Sequence, residues 1–119
     1  MNNIIEVLKQ LRVGVLTDEY TLQNQIAEYL HKSGIEFTKE YKLGRGSRVD
    51  FLTSTGIAIE VKKGKPNKAS VNKQLHRYAE HEKITGIILV VEKSLVVPRN
   101  IAGKPCMVLG LQKLWGIAL

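Results

Sequence analysis

The chain has 119 residues, of which 44% are hydrophobic and 24% are charged, and its formal net charge is +7. This composition excludes a disordered chain, and the length fits a single domain, residues 1–119, with one core. The lone Cys106 excludes an internal disulfide and indicates a reducing compartment, and without a Cys or His cluster beside it a zinc site is not expected. Neither a membrane-spanning apolar run nor a signal-peptide pattern is present, so we expect a soluble, intracellular protein that has no membrane partner.

Helical patterns occupy the N-terminal third of the chain. The first helix is predicted from apolar residues at helical spacing, namely Ile4, Ile5, Leu8 and Leu11. The stretch 13–16 interrupts it, and Thr17 or Asp18 is a suitable N-cap for a second helix that ends near Ser33 and Gly34. The apolar stripe of that second helix consists of Leu22, Ile26, Tyr29 and Leu30.

Strand patterns dominate the rest of the chain. Three extended stretches at 35–43, 49–53 and 57–63 are separated by the glycine-containing turns "GRGS" and "STG". A third helix is predicted at 70–83, a buried strand at 85–91 and a last strand at 106–111, with Leu114, Trp115 and Ile117 closing the core. The order of elements predicts an α/β fold with a mixed central β-sheet flanked by helices, in which the first three strands form an antiparallel meander and the third helix is a crossover.

The positive charge is concentrated in one part of the chain. Between Lys39 and Arg77 the sequence holds ten Lys or Arg and three acids, whereas the remainder holds eight of each sign. A local positive field indicates a polyanionic partner such as a phosphate backbone, and the alternative is a solubilising face.

Two of the three acids in this basic segment lie where the predicted strands should be buried. Alternation places Glu60 and Lys62 on the same face of the third extended stretch, and the short turn at 54–56 makes Asp50 a neighbour on the preceding strand, where Val49 and Phe51 face away from it. Two carboxylates brought together at a sheet repel each other and resist desolvation, and a divalent cation such as Mg²⁺ relieves that cost. The alternative is an ordinary cross-strand ion pair with Lys62.

The helices offer two further polar candidates. Glu19 continues the inward stripe of the second helix by one turn and can reach the sheet, although an acid in a first helical turn is also favoured by the helix dipole alone. Gln74 borders the inner face of the third helix, which Val71, Leu75 and Tyr78 define, and its alternative is a solvated helix surface.

Taken in order, Glu19, Val49-Asp50, Glu60-Val61-Lys62 and the segment Gln74 to Tyr78 resemble the PD-(D/E)XK nuclease superfamily. The resemblance spans residues 17 to 91, and it is closest to small members similar to Holliday junction resolvases and phage-type endonucleases. At the position of the proline that gives the superfamily its name, this chain has Val49. The resemblance implies a restriction-endonuclease-like core and a metal-dependent phosphodiesterase.

The resemblance also implies a role for each site residue. Asp50, Glu60, the main-chain carbonyl of Val61 and Glu19 would hold Mg²⁺, with Mn²⁺ as a substitute, and Lys62 and Gln74 would complete the catalytic set. A lysine beside carboxylates keeps its proton, which favours orientation of water and charge stabilisation over action as a base. Backbone contacts to DNA would come from basic residues that do not read sequence, namely Lys42, Arg45, Arg48, Lys63, Lys65, Lys68, Lys73 and Arg77.

The sequence therefore predicts a Mg²⁺-dependent endonuclease that hydrolyses DNA phosphodiester bonds, with structure-specific cleavage of Holliday junctions or branched DNA among its activities. The alternative is a nucleic-acid-binding protein with a nuclease-like fold and no catalysis. A homodimer is a further expectation, because resolving a junction needs two active sites. Its interface would use the apolar residues Val96, Val97, Met107 and Trp115.

Overall fold

A computed structural model describes residues 1–11, 18–44, 46–93 and 95–111. The N-terminal helix α1 spans Asn2–Leu8, and α2 spans Glu19–Lys32. Helix α2 begins where the sequence predicts, because the side chain of Asp18 accepts a hydrogen bond of 2.6 Å from the amide of Thr21. The predicted stripe is confirmed, since Leu22, Ile26 and Leu30 are fully buried.

Six strands in the described ranges form one mixed sheet. The strands are β1 (Phe37–Gly44), β2 (Ser47–Thr53), β3 (Ile57–Lys62), β4 (Gly86–Val91), β5 (Asn100–Ile101) and β6 (Lys104–Gly110), and α3 (Lys68–Glu80) lies between β3 and β4. In space the order is β1-β2-β3-β4-β6-β5. The first three strands pair antiparallel, β3-β4-β6 pair parallel, and β5 pairs antiparallel with β6. The α/β class, the meander and the α3 crossover are therefore confirmed.

Hydrophobic clusters cover both faces of the sheet. Helices α1 and α2 pack on one face against Phe51, Ile59 and Ile88, while α3 packs on the other against Ala58 and Leu89. Strand β4 is buried along its whole length, as its continuous apolar sequence predicts. The consequence for β3 is that its even-numbered residues, including Glu60, face the α3 side of the sheet.

The differences from the predicted elements are small. Helix α3 begins two residues early, because the side chain of Asn67 caps it by accepting from the amide of Ser70 at 3.0 Å. The two-residue strand β5 is too short to leave an alternation pattern and was not predicted. The predictions for residues 13–17, Leu114, Trp115 and Ile117 lie outside the described residues.

Two of the apolar residues predicted for a dimer interface are exposed. Val96 is 73% exposed and Met107 is 40% exposed, whereas Val97 packs partly against the cluster on the α3 side. Trp115 lies outside the described residues, and the homodimer stays a prediction. Among the helices in the described ranges, none has the length and apolar character needed to span a membrane.

Candidate functional site

A cleft of about 550 Å³ opens on the α3 side of the sheet. The β1–β2 hairpin contributes Lys42, Gly44, Gly46, Ser47 and Arg48 to its lining. The remaining lining side chains are Asp50 and Glu60 from the sheet and Gln74, Arg77 and Tyr78 from α3. The cleft thus brings together six residues that the sequence selects, from four elements.

The hydrogen-bonding pattern between β2 and β3 changes at the position where the two acids meet. Backbone partners are found at Phe51 with Ile59 and at Leu52 with Ala58, and the same register sets Asp50 opposite Glu60. At this position hydrogen bonds to the side chains take the place of backbone hydrogen bonds between the strands. Glu60 Oε1 accepts from the amide of Asp50 at 3.1 Å, and Asp50 Oδ2 accepts from the amide of Val61 at 2.8 Å. Both carboxylates are therefore held by main-chain donors at the end of the strand pair.

Strand β1 is also irregular beside Asp50. Glu40 lies between the pairs Lys39–Phe51 and Tyr41–Val49, which places it opposite Asp50, and it has a φ of 51° that non-glycine residues rarely adopt. Alternation across Asp50 fails as a result. The prediction that Val49 and Phe51 share a face is wrong, because Val49 packs in the cluster beneath α3 and Phe51 in the cluster beneath α1 and α2.

Burial makes the acid pair costly to ionise. Glu60 is 4% exposed, and burial together with the neighbouring Asp50 charge raises its pKa from 4.5 to about 7. Burial also raises the pKa of Asp50, and the charge of Glu19 adds to that rise, against the opposing hydrogen bond from Val61. Two adjacent carboxyl groups with raised pKa values mark the cleft as a candidate functional site.

Lys62 supplies one positive charge to this pair of acids. Its ammonium lies 3.2 Å from Glu60 Oε2, and its side chain is 25% exposed. The ion pair between an acid and Lys62 that was considered as an alternative therefore forms, although it runs along strand β3 and not between two strands. Within the described ranges no Lys or Arg forms an ion pair with Asp50, and one ammonium group faces two carboxylates.

Tyr78, which the sequence places on the inner face of α3 and at the end of the nuclease-like segment, also lines the cleft. It is 1% exposed, and its hydroxyl donates a 2.8 Å hydrogen bond to the carbonyl of Arg48. Burial and the charge of Glu60 raise the pKa of Tyr78, which keeps this hydroxyl protonated. The available signal was the phenol itself, since a buried tyrosine needs a partner for its polar tip. Gln74, one turn earlier, is half-buried and lines the cleft.

Glu19 lies at the edge of the site. It is exposed and does not line the cleft, yet it is close enough for its charge to act on Asp50. Across residues 1–11, 18–44, 46–93 and 95–111, no group of three or more His, Cys, Asp or Glu side chains is placed to hold a metal ion. The structure therefore brings Asp50 and Glu60 together and leaves Glu19 outside that pair.

Seven of the eight basic residues predicted to contact DNA lie in the described ranges, and they fall into three groups. Lys42, Arg48 and Arg77 line the cleft, and Lys63 is paired with Glu92 at 3.5 Å. Three more are exposed along the loop and helix that follow β3, namely Lys65, Lys68 and Lys73. Arg45 lies outside the described residues.

Fold and cleft together define an α/β domain whose central sheet presents two acids and a lysine beside a basic helix. The chain belongs to a domain family of unknown function, DUF8371, whose model matches residues 17–94. That range contains every residue of the predicted site and ends before β5. No curated protein and no solved structure matches the chain.

Proposed function

We propose that this protein is a Mg²⁺-dependent endonuclease that hydrolyses DNA phosphodiester bonds with a restriction-endonuclease-like core. The observation that carries the proposal is the meeting of Asp50, Glu60 and Lys62 at one place. Glu60 accepts from the amide of Asp50, Asp50 accepts from the amide of Val61, and Lys62 lies 3.2 Å from Glu60. The antiparallel meander followed by the β3-α3-β4 crossover is consistent with that core. Structure-specific cleavage of branched DNA is the form of the activity that the resemblance favours.

The donor set fits a hard divalent cation. Magnesium is commonly held by one or two carboxylates, with water and substrate phosphate filling the other positions. Asp50 Oδ1 accepts no hydrogen bond from the described part of the chain. The other three carboxylate oxygens, Asp50 Oδ2 and both of Glu60, make one contact each, so each keeps a lone pair for a metal ion. Asp50, Glu60 and the main-chain carbonyl of Val61 would hold the ion, with Glu19 near enough to add negative charge. When bound, the ion supplies positive charge to the scissile phosphate and acidifies water.

Other residues around the acid pair have proposed roles in holding water and the DNA phosphates. Lys62 is held beside Glu60, from which its ammonium can orient water and stabilise charge that develops on the phosphate. Gln74 lines the same cleft and can donate to the phosphate through its amide. Lys42, Arg48 and Arg77 surround the acids with positive charge, which draws a polyanion toward two carboxylates that would otherwise repel it.

The test is a panel of linear duplex, single-stranded, flap and four-way junction DNA, incubated with the full chain with and without Mg²⁺. We expect cleavage that requires the metal and that falls at least about 100-fold in Asp50→Asn and in Lys62→Gln. DNA binding measured in EDTA should survive both substitutions. The matched controls are Glu28→Gln and Lys32→Gln, because those residues form an exposed acid–lysine pair of 2.8 Å on α2, and they should cut at the wild-type rate.

The rival function is DNA binding without catalysis. It is favoured by the absence of a third acid beside Asp50 and Glu60 among the described residues. It predicts binding that depends on salt and no cleavage of any substrate in Mg²⁺ or Mn²⁺. That result, obtained with protein that binds DNA, would refute the endonuclease.

A further inference from the structure

Glu40 has a backbone conformation that its place in β1 does not require. In the described ranges, Glu40 and Ala102 are the non-glycine residues with a positive φ. Ala102 lies in the turn between β5 and β6, where the geometry of a tight hairpin calls for a positive φ. Glu40, with a φ of 51°, lies inside an edge strand, where an extended backbone carries no such strain. Its side chain is exposed, so packing in the core does not account for the strain.

Strand β1 changes face at Glu40. On the N-terminal side of it, Phe37 packs against the cluster beneath α1 and α2, and Lys39 lies over the ring of a residue in that cluster. On the C-terminal side, Tyr41 and Leu43 pack in the cluster beneath α3. Regular alternation would place all four of these odd-numbered residues on one face of the sheet.

Strand β2 changes face at the residue directly opposite. Val49 and Phe51 pack in different clusters, so the change falls at Asp50. Backbone pairing between β1 and β2 keeps the same register on both sides of this position, so no residue is inserted in either strand. The two changes of face therefore match each other, and the strained residue of the pair that can be identified by its φ is Glu40.

The change of face accounts for the direction of the Asp50 carboxylate. A side chain in a regular strand stands roughly perpendicular to the sheet and does not reach an amide of the neighbouring strand. Asp50 Oδ2 instead accepts from the amide of Val61 at 2.8 Å, and the amide of Asp50 donates to Glu60 at 3.1 Å. Both contacts run from β2 to β3 along the sheet. They require a backbone at Asp50 that departs from the regular strand.

We propose that the left-handed backbone of Glu40 positions Asp50 for metal binding, and that the carboxylate of Glu40 takes no part. This inference rests on the proposed function and adds a positioning residue to it. Two strands that stay paired in register change face together, so a residue that opposes a positive φ at position 40 also opposes the change at Asp50. Strain kept at a non-glycine residue beside a candidate site agrees with such a role.

The first experiment determines crystal structures of metal-free variants at position 40. Glu40→Gly and Glu40→Asn tolerate a positive φ and should keep the contact between Asp50 and Val61. Glu40→Val, whose branched side chain opposes a positive φ, should have an extended backbone at this position and an Asp50 carboxylate that no longer reaches β3. Glu40→Ala opposes a positive φ more weakly and replaces Glu40→Val if that variant does not fold. An intact contact in the variant that opposes a positive φ would overturn the proposal.

The second experiment measures DNA cleavage over a series of Mg²⁺ concentrations. Glu40→Val should cut on the order of 100-fold more slowly at a fixed Mg²⁺ concentration, because the ligand is misplaced. It should also need more Mg²⁺ for half-maximal rate, whereas a smaller folded fraction would lower the rate and leave that midpoint unchanged. Glu40→Gly and Glu40→Asn should match wild type in both quantities.

The matched control is Thr38→Val, because Thr38 is an exposed residue of the same strand with regular backbone pairing to β2. It should cut as wild type does, with the same Mg²⁺ midpoint. Equal losses in Glu40→Gly, Glu40→Asn and Glu40→Val would assign the effect to the Glu40 carboxylate and would overturn the proposal. A wild-type rate and midpoint in Glu40→Val would overturn it as well.

The two proposals fail differently. Metal-dependent cleavage that is lost in Asp50→Asn but is the same in every Glu40 variant removes the positioning role and keeps the nuclease. A wild-type protein that cuts nothing removes the nuclease, and the crystal structures still decide whether Glu40 sets the direction of Asp50.

Discussion

Replacement of Glu60 by glutamine should change how folding stability depends on pH. The carboxyl has an ordinary pKa of 4.5 and a folded-state pKa of about 7, owing first to burial and then to Asp50. Between those two pH values the folded protein holds a proton that the unfolded chain releases. The contribution of Glu60 to the free energy of unfolding is therefore full below pH 4.5 and declines as the pH rises toward 7.

The size of the effect follows from the same shift. Each pKa unit corresponds to about 1.4 kcal/mol, so ionisation of Glu60 costs on the order of 3 kcal/mol of stability by pH 8 in metal-free protein. In Glu60→Gln this decline is absent, because the amide does not titrate. The amide oxygen can still accept from the amide of Asp50, so the variant keeps one of the contacts that close the β2–β3 pair.

The assay is urea unfolding of wild type and Glu60→Gln in EDTA at a series of pH values from 5 to 8.5. We expect the difference in unfolding free energy to move by about 3 kcal/mol in favour of the variant across this range. Glu28→Gln is the control, since Glu28 is exposed and the hydrogen bond from Lys32 lowers its pKa, so its effect should not vary above pH 5. A wild-type–Glu60→Gln difference that stays constant from pH 5 to 8.5 would refute the raised pKa and with it the crowded acid pair.

Two further predictions concern the frame of the site. Tyr78→Phe removes the donor to the carbonyl of Arg48 and should lower the free energy of unfolding by about 1–2 kcal/mol in the same urea assay; unchanged stability would show that the 2.8 Å contact is not formed in solution. Gly56→Ala should cost at least 1 kcal/mol, because Gly56 has a φ of 92° and a Cβ there would approach the carbonyl oxygen of Lys83 to 2.6 Å. Gly64→Ala, at a φ of 72° in open space, separates backbone strain from that clash, and equal losses in the two variants would rule the clash out.

The fold was predictable where one physical rule dominates. The apolar stripe of α2 and the continuous apolar run of β4 fix their elements, because helical spacing and burial on both faces leave distinct patterns. Strand β5 was missed because two residues carry no periodicity. The helix caps were predicted in part. Residue type gave Thr17 or Asp18 as the cap of α2, and the structure has Asp18, whereas the cap at Asn67 starts α3 before the predicted residue.

The site was predictable in its residues and less so in its geometry. Parity along β3 correctly put Glu60 and Lys62 together, since alternation holds along that strand. The predicted alternation of side chains was wrong around Asp50. The positive φ of Glu40 and the side-chain hydrogen bonds between Asp50, Glu60 and β3 interrupt it there, and a pattern of apolar residues encodes neither feature. Helical phase selected Glu19 as a third acid, but phase says nothing of how far a helix end stands from a sheet. Tyr78 was named in the nuclease-like segment, but its place on an apolar stripe gave no sign of the partner of its hydroxyl.

Where β2 and β3 cease to pair through their backbones, two backbone amides donate hydrogen bonds to the acid side chains instead. These two amides can report on the state of the acids. The amide protons of Asp50 and Val61 are bonded to the two carboxylates that define the cleft, at 3.1 Å and 2.8 Å. Protonation or a change of ligand at either acid alters the acceptor of one of these amides directly. Their chemical shifts and exchange rates therefore record the state of the acids without a label, a substrate or a turnover event.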